Sequence, residues 1–189
     1  MDAKKVASLF ERVDREVWIV TAAHDGERAG LVATFVAPSS IVPEMPRVIA
    51  GIAKTHATWK LIDASGAFAV HLLDESQSDL VWRFGLQSSR DVDKFAGLDV
   101  GTAATGSPIL RNSLAWLDCR VETRMDIGDR TVFLGEVVEG DSKGSARPLM
   151  LQKVLSLATP EQKRTLREQM EADAALDMQA ITRWRARRP

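Results

Sequence analysis

The sequence predicts a mainly β protein, built as a six-stranded antiparallel β-barrel with peripheral helices and an added C-terminal helix. Two β-rich runs, residues 17–22 and 29–37, are separated by the sequence His24-Asp25-Gly26-Glu27, which is typical of a hairpin turn. Two further runs, residues 115–125 and 131–138, flank a second turn at residues 126–129. Parallel βαβ alternation is not evident, so we expect the strands to pair mostly as antiparallel hairpins.

The remaining elements complete this order along the chain. They are an amphipathic N-terminal helix carrying Val6, Leu9, Phe10 and Val13, a buried strand at 48–53, a short helix at 58–62, a strand at 68–73, a helix at 75–84 and a last short strand at 148–151. Residues 85–108 are rich in Ser, Asp and Gly and are predicted to form a long loop with one short helical turn. A loop of this length in a compact domain is often functional.

The C-terminal helix has a well-marked start. Thr159 can cap it, Pro160 suits the first helical position, and Gln162 completes a capping box. A thin apolar stripe then follows the helix at Leu166, Met170, Ala174, Met178 and Ile181. The predicted organisation is therefore a barrel domain over residues 1–158 and a helical extension over residues 159–189.

Length and composition exclude several classes of protein. The chain has 189 residues, 45% apolar and 27% charged, which suits one globular domain. A net charge of −1 predicts no attraction to nucleic acid or to an anionic membrane. No run is long enough for a signal peptide or a membrane span, and the single cysteine, Cys119, suits a reducing compartment. We therefore expect a cytoplasmic protein.

Motif searches remove further candidates. The chain has neither the glycine pattern of a dinucleotide-binding Rossmann domain nor that of a Walker phosphate loop. Its three histidines show no spacing typical of metal ligands, and one cysteine cannot build a zinc site. We predict no metal, and we interpret Cys119 as a small buried residue of a strand.

The segment at residues 53–59, Ala-Lys-Thr-His-Ala-Thr-Trp, is the most suggestive of binding. A buried strand ends here, and a short helix begins whose first N–H groups carry a partial positive charge. Lys54, Thr55 and Thr58 would add a cation and two hydroxyls, which together make a plausible phosphate site. The pattern alone favours ordinary helix capping by Thr55, with Lys54 in solvent and His56 pointing outward.

Over residues 13–155 the chain resembles the flavin-reductase-like family of FMN-binding split β-barrels. The resemblance rests on an ordered set of short motifs rather than on any single one. In the first half of the chain these are the strand and turn at 17–26, Gly30-Leu31-Val32-Ala33-Thr34, Ser40 with Pro43 and Pro46, Thr55-His56-Ala57-Thr58, and the run Ser65-Gly66-Ala67-Phe68-Ala69-Val70 continuing to Leu73. In the second half they are Lys94-Phe95, residues 106–110, residues 117–119, and Gly128-Asp129 followed by Gly135-Glu136-Val137.

The sequence also departs from the family pattern. Val32 and Phe35 stand where the family has small hydroxyl residues, so flavin contacts there would come from the backbone. Two residues separate the paired prolines, Pro43 and Pro46. Arg130 follows Gly128-Asp129 where the family often has a histidine near the nicotinamide. Arg130 could grip a nucleotide phosphate, pair with Asp129, Glu136 or another carboxylate, or face solvent.

The resemblance implies that FMN lies along the second strand and the following loop, with its phosphate at residues 54–58. The implied cofactor-binding residues are Val32, Ala33, Thr34, Ser40, Ala53, Lys54, Thr55, His56, Thr58, Lys94 and Phe95, with Arg130 as the candidate on the nicotinamide side. NADH or NADPH would be the co-substrate, and reduced flavin would pass electrons to free flavin, to oxygen or to a partner oxygenase. The family also implies a homodimer with the flavin at the subunit boundary.

Two other functions remain open from the sequence. The chain could hold FMN tightly and shuttle electrons between proteins without reacting with NAD(P)H. It could also be a split barrel that binds a different planar ligand or serves as a dimeric scaffold. A visible flavin spectrum separates this last possibility from the others, and NAD(P)H oxidation with added FMN separates a reductase from an electron-transfer protein.

Overall fold

The computed structural model describes residues 2–88 and 92–187 and is mainly β, as predicted. Nine strands are present in the described residues: β1 (Trp18–His24), β2 (Glu27–Ala33), β3 (Val36–Pro38), β4 (Arg47–Ala53), β5 (Ala67–Leu72), β6 (Val100–Thr102), β7 (Pro108–Leu110), β8 (Ala115–Asp126) and β9 (Arg130–Ser142). The helices are α1 (Ala3–Glu11), α2 (Ala57–Ser65), α3 (Ser78–Leu86), α4 (Leu151–Leu157) and α5 (Pro160–Ala186).

Seven of the strands form one curled antiparallel sheet in the order β2-β1-β5-β8-β9-β4-β3. The predicted count of six was therefore one too low. The return strand expected at 29–37 is divided into β2, which pairs with β1, and β3, which pairs with β4 at the opposite end of the sheet. The chain crosses between the sheet's two ends at Thr34 and Phe35, and a continuous β-rich sequence carries no signal for that crossing.

Two other local predictions were wrong. Residues 85–108 are not entirely loop, because β6 and the start of β7 form a small separate hairpin there; residues 89–91 of this segment lie outside the described part. The expected strand at 148–151 is reduced to isolated bridges at Pro148 and Met150, and α4 begins at Leu151. Short apolar runs fit a strand or a helix equally well, which explains the second error.

The helices lie around the sheet, and the predicted capping box of α5 is present. The Thr159 hydroxyl accepts from the Gln162 N–H at 3.1 Å, and the Gln162 side chain accepts from the Thr159 N–H at 2.8 Å. Despite this strong start, none of the described residues of α5 is fully buried. No helix in the described residues is long and apolar enough to cross a membrane.

The core consists of two clusters that position the functional region between them. The first lies inside the curled sheet and includes Val20, Phe68 and Phe133. The second packs α3 against β1 through Phe84 and Ile19. Helix α2 is joined to β9 by a hydrogen bond of 2.9 Å from the Trp59 indole N–H to the Thr131 hydroxyl, and its first turn lies beside the edge strand β2.

Candidate functional site

A cavity of about 470 Å³ lies where the start of α2, the edge strand β2 and the end of α3 meet. It brings together two segments that the sequence predicts to bind flavin, one in β2 and the other at the start of α2. Its lining consists of Gly30, Leu31, Val32, Thr55, His56, Ala57, Thr58, Phe84, Gly85, Leu86, Gln87, Ser88, Lys94, Gln169, Ala172 and Asp173.

Lys94 provides a buried cation in this cavity. The side chain is 5% exposed, and its ammonium donates hydrogen bonds to the carbonyls of Gly30 at 3.0 Å and of Phe84 at 2.8 Å. Burial lowers the pKa of Lys94 to about 8, so the group is still mainly protonated at neutral pH. An ammonium has three donors, and two are used by these carbonyls, which leaves one for a ligand.

The first turn of α2 adds neutral donors to the same cavity. His56 is the N-cap residue and its side chain makes no capping hydrogen bond. The Thr58 side chain is buried and lines the cavity. Capping by Thr55, the alternative expected from the sequence, is not observed, because Thr55 precedes the cap position. Among the residues that the structure describes, no side chain therefore caps the first N–H groups of α2.

His56 is held in its neutral form by the surrounding structure. Its side chain is exposed at the cavity surface, but partial desolvation by the surrounding protein is the largest influence on its pKa and lowers it, while the carboxylates of Asp173 and Asp177 oppose that effect and Lys94 reinforces it. A neutral imidazole can donate or accept a hydrogen bond without adding charge. The electrostatics of the cavity therefore depend on Lys94 and on the carboxylates of α5.

Arg130 forms ion pairs, which was one of the three outcomes expected from the sequence. Its Nε lies 2.5 Å from Oδ2 of Asp129, and its Nη2 lies 3.0 Å from Oδ2 of Asp177 in α5. Asp129 was an expected partner by name, and Asp177 is one of the other carboxylates that the prediction allowed. The guanidinium is thus held between the start of β9 and the C-terminal helix.

The other predicted site residues do not line this cavity. Lys54 lies outside its lining, and its Nζ is 2.7 Å from Oδ1 of Asp126. Ser40 lines a second, largely apolar cavity of about 310 Å³ together with Trp18 and Ile41. Phe95 is buried in the core, with its ring edge-on to Phe84 at 5.4 Å between centroids. Ala33, Thr34 and Ala53 lie in or beside β2 and β4 and line neither cavity.

Two groups of cavity residues were missed from the sequence. Residues 84–88 come from the end of α3 and the following segment, which composition had marked only as a functional loop. Gln169, Ala172 and Asp173 come from α5. The apolar stripe of α5 indicates one face of the helix but carries no information about which surface that helix covers, so no sequence signal could place them here.

The family comparison agrees with this geometry. The model of the flavin reductase-like domain matches residues 10–154. The reductase subunit HsaB of a flavin-dependent monooxygenase from Rhodococcus jostii is 36% identical over 153 residues, covering 81% of this chain and 76% of HsaB. The actinorhodin polyketide dimerase of Streptomyces coelicolor is 37% identical over 147 residues, covering 76% of this chain and 80% of that protein.

The fold is also similar to that of solved structures. The crystal structure of nitrilotriacetate monooxygenase component B from Mycobacterium thermoresistibile superposes with a TM-score of 0.70. The two sequences are 32% identical, and the alignment covers 84% of this chain and 90% of that one. The matched region contains the whole curled sheet, α2 and α3, and so includes the cavity apart from α5. The chain is a member of the flavin reductase-like family and is an oxidoreductase of that family.

Proposed function

We propose that this protein is an NAD(P)H-dependent flavin reductase that binds FMN with its phosphate in the cavity beside α2. The observation that carries the proposal is the convergence of the Lys94 ammonium, the Thr58 hydroxyl and the first N–H groups of α2 on one cavity. A phosphate dianion offers several acceptors, and hydrogen bonds to a charged group are the strong ones. The donor set therefore fits a phosphate, with Lys94 rather than Lys54 as its cation.

Strand β2 supplies backbone groups to the same site because it is an edge of the sheet. The Gly30 carbonyl is already directed to Lys94. Since strand residues alternate in direction, the Val32 N–H points to the same side as that carbonyl. The backbone N–H of Val32 is therefore the proposed stabiliser of negative charge on a reduced ligand, and the side-chain change to Val32 does not affect it.

Bound FMN would supply the redox chemistry, while the protein supplies position and electrostatics. Lys94 places a positive charge close to the edge strand β2, and neutral His56 provides a hydrogen-bonding group that adds no charge. Arg130 is bound to Asp129 and Asp177, so it offers little to a nucleotide phosphate in this arrangement. We therefore expect turnover with NADH or NADPH to be measurable but modest.

We also propose that the reduced flavin is passed to a partner oxygenase. The support is the identity of the relative HsaB, which is the reductase subunit of a flavin-dependent monooxygenase. A free, buried Cys119 is compatible with the cytoplasmic location expected from the sequence. The second candidate, an FMN electron-transfer protein without NAD(P)H activity, is kept because Arg130 replaces the histidine frequent in the family.

A homodimer forms part of the proposal. The loop at residues 39–46 exposes Ile41 at 99% and Met45 at 58% beside the largely apolar second cavity. Such a surface is typical of a protein interface. We expect a dimer interface of more than about 2,000 Å² in total, which is the size of obligate interfaces. Sedimentation equilibrium at micromolar concentration should give twice the chain mass; a monomer would contradict the dimer.

The function is tested by anaerobic titration of the FMN-loaded protein with NADH and with NADPH. Loss of the visible flavin absorbance within minutes, faster than for free FMN under the same conditions, is the expected result. Binding of FMN without bleaching by either nucleotide would favour the electron-transfer protein. Failure to bind FMN or riboflavin at all would overturn both flavin functions.

A further inference from the structure

Helix α5 crosses the mouth of the flavin cavity and touches the barrel on both sides of it. On one side the Gln169 side chain donates a hydrogen bond of 3.3 Å to the Leu86 carbonyl. On the other side Asp177 pairs with Arg130 at 3.0 Å. Residues 170–176 between these two contacts are all exposed, although Ala172 and Asp173 line the cavity. The helix therefore bridges the mouth without packing on the barrel there.

The bridging segment presents negative charge to a cavity that otherwise offers donors. Asp173 lines the cavity and forms no ion pair with any residue that the structure describes. The charge of Arg130 is already matched by Asp129 at 2.5 Å, so the second carboxylate, Asp177, leaves an excess of negative charge at the mouth. Both Asp173 and Asp177 act electrostatically on His56, which shows that their charges reach the start of α2.

We propose that Asp173 and Asp177 are specificity-determining residues of the flavin site that discriminate among ligands by their phosphate charge. A carboxylate near a bound phosphate dianion raises the free energy of the bound ligand by like-charge repulsion. The same carboxylate does not change the free energy of an uncharged ring system. The two residues thus weaken binding of FMN relative to riboflavin. The same repulsion favours release of FMN after reduction, which suits transfer to a partner. This inference rests on the proposed flavin function.

The helix itself provides a matched control. Glu171 lies in the same exposed segment, but it lines the groove between α5 and α4 rather than the cavity. Replacement of Glu171 by Gln removes the same charge from the same helix without changing the charge at the mouth. A general effect of net charge would therefore appear in this variant as well, and Asp173→Asn separates the effect of charge at the mouth from loss of the Asp177–Arg130 contact.

The experiment measures dissociation constants of FMN and riboflavin by quenching of flavin fluorescence, using Asp173→Asn, Asp177→Asn and the control Glu171→Gln in the full chain. Circular dichroism confirms that each variant is folded. We expect each Asn variant to bind FMN roughly threefold to tenfold more tightly than the parent, with riboflavin unchanged, as partly screened charges at this range allow. The Glu171→Gln protein should match the parent for both ligands.

Added salt gives a second readout, because screening weakens like-charge repulsion. The difference in FMN affinity between parent and Asp173→Asn should shrink as ionic strength rises. If the Asn variants bind FMN no more tightly than the parent, or tighten FMN and riboflavin equally, the inference is overturned while the flavin function stands. If the parent binds neither flavin, the proposed function itself fails and this inference with it.

Discussion

The guanidinium Nη2 of Arg130 lies 3.0 Å from the carboxylate Oδ2 of Asp177, and this pair ties the first residue of β9 to the C-terminal helix. The same guanidinium holds Asp129 through Nε, so a single side chain joins the turn before β9 to α5. The inner face of α5 is half-buried at most, and Ile181 and Trp184 on that face also lie against the turn at Gly128. Arg130 is therefore one of the contacts that fix the position of the helix across the cavity, together with Gln169 and the residues beside Gly128.

Replacing Arg130 with Lys should loosen α5 without unfolding the sheet. A lysine ammonium cannot match the two-pronged geometry of a guanidinium, so one of the two carboxylate contacts is lost. The cost is about 0.2–1 kcal/mol, as for partly exposed pairs. Hydrogen–deuterium exchange should become up to about fivefold faster in peptides of residues 165–186, since 1 kcal/mol is about that factor.

The matched control for that change is Arg120→Lys, because the Arg120–Glu136 pair is exposed and its atoms are 3.9 Å apart. Exchange in α5 should be unaffected in the control. Equal protection of α5 in the parent and in Arg130→Lys would show that the helix is held by other contacts.

His71 should make stability depend on acid pH. It is fully buried, with Nδ1 3.1 Å from the Ile19 carbonyl and Nε2 accepting from the Leu110 N–H at 3.1 Å. Burial lowers its pKa to about 4, so the folded state holds the neutral ring. The folded pKa is depressed below the usual 6.5, so the stabilisation is complete above pH 6.5 and is lost as pH falls toward 4. The free energy of unfolding should fall by about 3 kcal/mol over this pH range.

Urea unfolding of the parent and of His71→Gln at pH 7 and at pH 4.5 measures this effect. The variant should be less stable at pH 7 but should lose less stability on acidification than the parent does. His24→Gln, which alters a half-exposed histidine, should keep the dependence of the parent. Identical acid dependence in the parent and in His71→Gln would contradict the assignment.

Lys94 should make FMN affinity depend on alkaline pH. Its pKa of about 8 means that the ammonium loses its proton as pH rises through that value. The folded protein then loses a cation at the proposed phosphate site, and FMN affinity should fall while riboflavin affinity stays constant. Lys94→Met should weaken FMN at neutral pH by about 1.5–3 kcal/mol, as expected for hydrogen bonds to charged groups, and should abolish the pH dependence.

Lys60→Met is the control, since Lys60 is an exposed lysine of α2 outside the cavity. Lys54→Ala tests whether Lys54, the cation predicted from the sequence, binds the phosphate. If Lys54→Ala weakens FMN more than Lys94→Met does, the phosphate is bound by Lys54 and the assignment to Lys94 is wrong.

Gly30 is required where β2 approaches α3. A Cβ at this position would lie 2.7 Å from the Phe84 ring, which is buried beside Lys94. Gly30→Ala should therefore destabilise the protein by about 1–3 kcal/mol through overpacking and should weaken FMN. Gly85→Ala is a control in α3, where the added methyl would meet Val32 at an ordinary 3.5 Å. Thermal unfolding of both variants should show a loss for Gly30→Ala only.

The positions of several strands along the chain and the start of α5 were predictable because they depend on local signals. Alternating runs with hairpin turns gave β1, β8 and β9, and Thr159 with Gln162 gave the helix start. The division of the second strand at Thr34 was not predictable, because the partner strand on each side is set by the curl of the sheet.

Some residues of the candidate site were also predictable from local sequence signals, and others were not. Thr55, His56 and Thr58 were found because the end of a strand and the start of a helix are adjacent in the sequence. Lys94 was expected only through the family resemblance, and its position beside Gly30 depends on contacts 64 residues apart along the chain. Nothing in the sequence indicated that Asp173 and Asp177 lie near the site, because polar residues on a surface helix are normally solvated.

The most direct test of the proposed site is a crystal structure of the protein with FMN. We expect the phosphate to lie in the cavity beside α2, within hydrogen-bond distance of the Thr58 hydroxyl and the Lys94 ammonium. A phosphate bound instead at the second cavity, beside Ser40 and Trp18, or at Lys54 outside either cavity, would contradict the assignment of the flavin site.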